Sequence, residues 1–302
     1  MLFKTPLLLS LGASCTAAQS LADVLAGTPD LSTLTSALQQ FPDLLTTLNG
    51  TSNITVLAPN NAAFDALFAT PAGQAAQNDA GLLEAVLEYH VVDGVFPASS
   101  IPATGAFVPT FLTNTSYTNV TGGQRVEGIS ANGGVTFISG GKATSNVTQA
   151  DITFDGGIIH IINAVLTVPA NITTTALAAN LTSLANALIQ VDLLDTVNSL
   201  PDATVFAPTN AAFDAISSTI AGLSDEQLAS ILEYHVVGGA VAYSTLLTNG
   251  ETVPTLDNAQ NVTITLGNGT VQVNQANVVI PDVLVANGVV HVIDAVLIPP
   301  SS

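Results

Sequence analysis

The chain offers few groups for acid–base, nucleophilic or metal chemistry. Beside 22 carboxylates it has four histidines, four tyrosines and one cysteine. The histidines are His90, His160, His235 and His291. A histidine acting as a base needs a nucleophile on one side and an orienting group on the other. As a metal ligand it needs partners at a fixed spacing. No G-x-S-x-G, H-E-x-x-H or Walker loop occurs, and no D-x-D-x-D-G run suggests a calcium loop. His160 and His291 sit inside apolar runs, Ile158–Ile162 and Val289–Ile293, where a ring is expected to be hydrogen-bonded within the fold. His90 and His235 follow Tyr89 and Tyr234. They take the same scaffold reading, with a place on an exposed recognition surface as the alternative. No cofactor and no metal is implied, and the chain reads as non-enzymatic. A hydrolase built from scattered Ser, His and Asp is the least favoured alternative.

The histidines recur because the chain repeats itself. Thr55–Phe64 reads TVLAPNNAAF and Thr204–Phe213 reads TVFAPTNAAF. LEYHVV occurs at Leu87–Val92 and again at Leu232–Val237. DGGIIHIINAVL (Asp155–Leu166) is matched by ANGVVHVIDAVL (Ala286–Leu297). The order is kept while one loop differs: His90 and His160 are 70 residues apart, His235 and His291 only 56. A repeat of this length is a whole domain with its own core. The expected division is a leader at 1–18, a first domain at 19–168, a linker at 169–174 and a second domain at 175–302.

Residues 1–18 read as a signal peptide, with Lys4, an apolar stretch Pro6–Gly12 and Thr16-Ala17-Ala18 before the cut. Cleavage would remove Cys15 and leave Arg125 and Lys142 as the basic residues against 22 acidic ones. That balance excludes nucleic acid as a partner and argues against anionic membranes. Nine N-x-S/T sequons, at Asn49, Asn53, Asn114, Asn119, Asn146, Asn171, Asn180, Asn261 and Asn268, are candidate glycosylation sites in a secreted chain. The apolar C-terminal stretch Val278–Leu297 is matched inside copy 1 by Val147–Leu166. It therefore reads as core strand. Neither a glycolipid anchor nor a membrane-spanning segment is expected, and the protein should be extracellular.

The front of each copy is helical in pattern. Leu31, Leu34 and Leu38 recur at helical spacing, and Ser224-Asp225-Glu226-Gln227 is a capping box. A short strand (54–58; 203–207) stops at Pro59 or Pro208, and a helix follows that Asn61 or Asn210 would cap. The back of each copy alternates Val, Ile and Thr between Gly-rich turns, such as Asn132-Gly133-Gly134. Each domain is thus α+β, helices first and antiparallel strands after.

These blocks resemble the fasciclin family. TVFAPTNAAF resembles its first conserved motif, Leu-Glu-Tyr-His its central Tyr-His motif, and NGVVHVIDAVLIPP its second conserved motif. The resemblance covers about 20–168 and 172–299. It implies two tandem fasciclin-like domains, each a β-wedge or sandwich of antiparallel strands with a layer of short helices. It implies adhesion or matrix organisation through a cell-surface or wall protein or glycan. Weak self-association is a further expectation. The adhesion motifs of the family place candidate binding residues at Tyr89 and His90, Asp151 and Ile152, Tyr234 and His235, and Asp282 and Val283. On the residues alone, each Asp is either a turn residue or part of an exposed pair. Two similar sites would act by avidity. The sequons, scarce cations and lack of cysteine after the leader resemble fungal or plant surface members, the fungal ones foremost. A binding module for an apolar small molecule or lipid, held between sheet and helices, is the alternative.

Overall fold

The computed structural model describes residues 19–257, 260–267 and 269–300. The leader expected at 1–18 and the sequon Asn268 lie outside them. The local signals act at both helical layers. Ser20 closes a capping box with Asp23, and Ser224 one with Gln227. Leu31, Leu34 and Leu38 are buried together in the first core. The expected caps at Asn61 and Asn210 shift by one residue. Asn60 and Thr209 accept from the N–H groups of Ala63 and Ala212. Asn61 instead ties two helices: its Oδ1 accepts from Thr33 N–H at 2.9 Å and its Nδ2 donates to Pro29 O at 3.0 Å. Asn210 does the same with Ser183 and Asn180.

The first sheet contains β1 (Ile54–Pro59), β2 (Val91–Asp93), β3 (Ala106–Pro109), β4 (Arg125–Ala131), β5 (Gly134–Ile138), β6 (Thr144–Phe154) and β7 (Gly157–Ile162). The second contains β8 (Ala203–Pro208), β9 (Val236–Val237), β10 (Thr252–Pro254), β11 (Asn261–Gly267), β12 (Thr270–Val273), β13 (Ala276–Val285) and β14 (Gly288–Ile293). Their orders correspond: β2-β1-β7-β6-β5-β4-β3 and, mirrored, β9-β8-β14-β13-β12-β11-β10. The expected all-antiparallel sheet is corrected at one place in each copy. β1 runs parallel to β7, and β8 parallel to β14. Every residue of β1, β8 and β14 is buried, as parallel strands covered on both faces require. The sheet also curls until its ends meet: Phe111 N–H donates to Val91 O, and Leu256 N–H to Val236 O, each at 2.8 Å.

Inside the curl the two copies fill the same space differently. Gly128 faces Phe137 across β4 and β5, whereas Ile264 faces Val273 across β11 and β12. A large ring opposite no side chain is exchanged for two aliphatic groups.

The expected linker is not a free tether. Asn171 caps a helix over Ile172–Ala178, and Ala286 N–H donates to Ala170 O at 2.8 Å. Most of the extra length of copy 1 lies between β3 and β4 (110–124 against 255–260), with more between β5 and β6 (139–143 against 274–275), and both segments dock the second domain. Asn119 N–H donates to Ala286 O at 2.8 Å, and Asp202 N–H returns a bond to Asn119 O at 3.2 Å. Thr121 donates its N–H and hydroxyl to the Asp202 carboxylate at 2.8 and 2.6 Å. Gln124 Nε2 donates to Val285 O at 3.0 Å. Beside them Tyr243 stacks on Phe107, with centroids 4.2 Å apart, under the Arg125 guanidinium at 5.9 Å. Lys142 Nζ reaches Glu127 at 3.4 Å and Asp282 O at 3.3 Å.

The core exchange is testable. A Cβ on Gly128 would lie 3.1 Å from the Phe137 ring. Gly128→Ile should therefore destabilise the protein by about 1–3 kcal/mol through overpacking. Adding Phe137→Val should recover most of the loss. Urea unfolding of wild type, single and double variants reads the result.

Candidate functional site

The Tyr-His pairs lie at the ends of the helices Ala80–Tyr89 and Asp225–Glu233, and all four rings are buried. Tyr89 and Tyr234 are fully buried. Tyr89 Oη donates to Arg125 O at 2.8 Å, and Tyr234 Oη to Asn261 O at 3.0 Å. Each tyrosine therefore ties the helix to the first residue of β4 or β11. The adjoining histidine ties the helix to the end of its domain. His90 Nδ1 lies 2.6 Å from Val86 O, and Leu166 N–H donates to its Nε2 at 2.9 Å. His235 repeats this with Ile231 O and Leu297 N–H at 2.7 and 2.9 Å. A ring that accepts at Nε2 must carry its proton on Nδ1 and be neutral. Burial holds both rings in that state by lowering their pKa to about 4, against the smaller opposing effect of the carbonyl contact.

His160 and His291 use the opposite tautomer. Each accepts at Nδ1, from Asp151 N–H and Asp282 N–H respectively, at 3.2 Å. Their Nε2 atoms face Phe96 O at 2.9 Å and Ala242 O at 2.8 Å. Burial lowers the His291 pKa, and the nearby Asp282 carboxylate opposes the shift. All four rings thus join backbone groups to backbone groups.

The Asp pairs sit where β6 and β13 slip register against their neighbours. Asp151 and Asp282 have φ of 60° and 57°, a conformation Asp tolerates better than most residues. Asp151 accepts from Ala98 N–H at 3.0 Å. Asp282 accepts from the N–H and the hydroxyl of Ser244. The two differ in accessibility. Asp151 is exposed and Ile152 half-buried, while Asp282 and Val283 are buried and Lys142 of the first domain lies on the Asp282 carbonyl. Of the candidate binding residues, Tyr89, His90, Tyr234, His235, Asp282 and Val283 are therefore inside the protein. This corrects the expectation of a recognition surface at those positions. The polar atoms of the Tyr and His residues serve backbone inside the domain, Val283 packs in the second core, and Asp282 is covered by the first domain.

The sequence reading missed Asn119, Thr121, Gln124, Arg125 and Lys142 as docking residues. The one available signal was the longer His90–His160 spacing. Among the sequons, Asn49, Asn53, Asn114, Asn146, Asn171, Asn180 and Asn261 are exposed. Asn119 is half-buried at the junction, and its Nδ2 donates to Ser199 O at 3.3 Å. An apolar cavity of about 80 Å³ lies inside the first sheet, lined by Phe96, Ile101, Val108 and Phe137 among others. Among the described residues no group of three or more His, Cys, Asp or Glu side chains could hold a metal ion. No described helix is long and apolar enough to cross a membrane.

The family model described as "Fasciclin domain" matches residues 29–169 and 179–299. A fasciclin-like arabinogalactan protein of Arthroderma benhamiae is 35% identical over 295 residues, 97% of this chain and 70% of that protein. One of Phaeosphaeria nodorum is 36% identical over 283 residues, 94% and 89% of the two chains. The solved FAS1 domain pair of the insect cell adhesion molecule fasciclin I is 20% identical and has a TM-score of 0.42, with 90% of this chain and 97% of that one covered.

Two outcomes follow from the site. The folded-state pKa of His90 and His235 is depressed, so between about 6.5 and 4 the unfolded chain binds more protons. Stability supplied by the neutral rings is full above pH 6.5 and is lost as pH falls through that window, by about 3 kcal/mol per ring. A His90→Ala/His235→Ala variant should be less stable at pH 7 and show a flatter fall in Tm between pH 6.5 and 4 than wild type. Secondly, peptide mapping by mass spectrometry should find Asn119 unmodified in the glycosylated protein. A glycan there would break the domain junction.

Proposed function

The chain belongs to the fasciclin-domain family, and from that premise we propose that it is an extracellular, non-enzymatic adhesion or surface-organising protein. Its contact site is the Asp151–Ile152 bulge of the first domain. The observation that carries this reading is the difference between the copies. Asp151 stands exposed, and its counterpart Asp282 is buried against the junction. The two-site avidity suggested by the repeat is thereby replaced by one open site on a two-domain body. The four histidines have both ring nitrogens engaged by backbone, which supports a role without proton transfer. The carbohydrate-rich names of the fungal relatives support a wall or matrix setting, and the exposed sequons suit a glycoprotein of that setting. The apolar-ligand reading is less well supported. A cavity of about 80 Å³ is smaller than the ~150 Å³ space that takes benzene, so an acyl chain would not fit.

The test is binding of the glycosylated protein to wall polysaccharides and to cells of the source organism. Asp151→Asn, which removes the charge but tolerates the positive φ and can still accept from Ala98 N–H, should reduce retention at least fivefold with little change in Tm. Equal retention of wild type and variant would remove the bulge as the contact site. Retention of neither on any surface would sink the adhesion reading itself.

A further inference from the structure

The junction shows what the β6/β13 edge can bind. On the second domain this edge accepts hydrogen bonds from the first. Asp282 O takes Lys142 Nζ at 3.3 Å, Val285 O takes Gln124 Nε2 at 3.0 Å, and Ala286 O takes Asn119 N–H at 2.8 Å. Docking leaves Asp282 2% and Leu284 0% exposed. The internal repeat places Asp151, Phe154 and Asp155 at the same three positions of the first domain. There Asp151, Thr153 and Asp155 are exposed, as are Gln149 and Ala150 beside them. Among the described residues, no side chain or loop N–H donates to the carbonyls of Asp151, Phe154 or Asp155. Among the described residues, the first domain thus carries the same edge with no donor on those three carbonyls, while Asp155 N–H donates to Gln19 O at 2.9 Å as Ala286 N–H does to Ala170 O.

We infer that the Gln149–Asp155 edge of the first domain is a docking site for a basic protein segment that presents Lys ammonium and side-chain amide donors. This deepens the proposed function by naming the partner chemistry of the same surface, and it rests on that reading for its biological setting. The argument for a basic partner is charge. The two basic residues that remain after the expected leader, Arg125 and Lys142, are both engaged at the junction. The edge itself carries Asp151 and Asp155, on a chain of net charge −19. A cationic segment is attracted to such a surface and steered towards it. A second copy of this chain does not qualify. Its Lys142 and Gln124 are occupied in its own junction, and its net charge repels another copy. Its second domain, moreover, has only 255–260 where the first has the docking loop.

The probe is a synthetic peptide of about twelve residues alternating Lys and Gln, added to the intact protein. Hydrogen exchange should slow within 149–155, and binding should weaken as salt is raised. Gln149→Lys/Thr153→Lys should weaken binding at least tenfold. Thr46→Lys/Thr47→Lys, which adds the same charge on an exposed helix, should weaken it less than threefold. Equal losses in the two variants would reduce the effect to general charge attraction and overturn the site. Protection elsewhere on the protein, or no protection, would overturn it as well. Because the assay uses a peptide and not a wall surface, it can fail while wall adhesion persists.

Discussion

Everything in this fold depends on satisfying buried polar groups without charge. After the expected leader the chain has no cysteine to cross-link it and only two basic residues to pair with carboxylates. A buried N–H or C=O left without a partner costs on the order of 1–3 kcal/mol. The protein meets that demand with neutral rings and hydroxyls. His90 and His235 carry a proton on Nδ1 because a backbone N–H occupies Nε2; His160 and His291 are reversed because a backbone N–H occupies Nδ1. Thr55 and Thr204 work similarly, each donating to one backbone carbonyl and accepting from one N–H of the following turn. The bonds join segments far apart in sequence, so they close the domain in the way a disulfide or an ion pair would elsewhere.

Much of this was legible from the residues. A histidine within five consecutive apolar residues had to be buried, and a buried histidine had to be bonded. Periodicity gave the helices, and the duplicated motifs gave the domain count. The parallel pairing of β1 with β7 was not legible, because a fully buried central strand has the same apolar run in either direction. Nor was the exact cap: Asn60 and Asn61 are adjacent and chemically identical, and only the backbone decides that the first turns inward to Ala63 N–H while the second reaches Thr33 and Pro29. The fate of Asp282 was hidden for a different reason. Its local sequence matches that of Asp151 closely enough to give both the same reading, and its burial comes from another domain.

The repeat also separates what the fold needs from what each copy has varied. Features present twice and buried in both copies, such as the Tyr-His anchors, belong to the scaffold. Gly128 with Phe137 and Ile264 with Val273 differ as a pair, which is how a close-packed interior accommodates change. The β3–β4 loop differs most in length, and its partner does not lie within the first domain. Its partner is the second domain, where Asp202, Ala286 and Ser199 receive it.

That asymmetry determines how far the array extends. Were both copies to carry the loop, the second domain could offer donors to the open β6 edge of another chain. Such a head-to-tail contact is heterologous, so it would propagate into a ring or a filament. With the loop in one copy only, the donor side is consumed within the chain and the acceptor edge of the first domain is left over. The result is a two-domain body whose internal contact is saturated and whose outward face is rich in acceptors and carboxylates. An edge of that kind favours donors and positive charge over another copy of itself, so the same loop that fixes the two domains together also sets the chemistry of what can dock beside them.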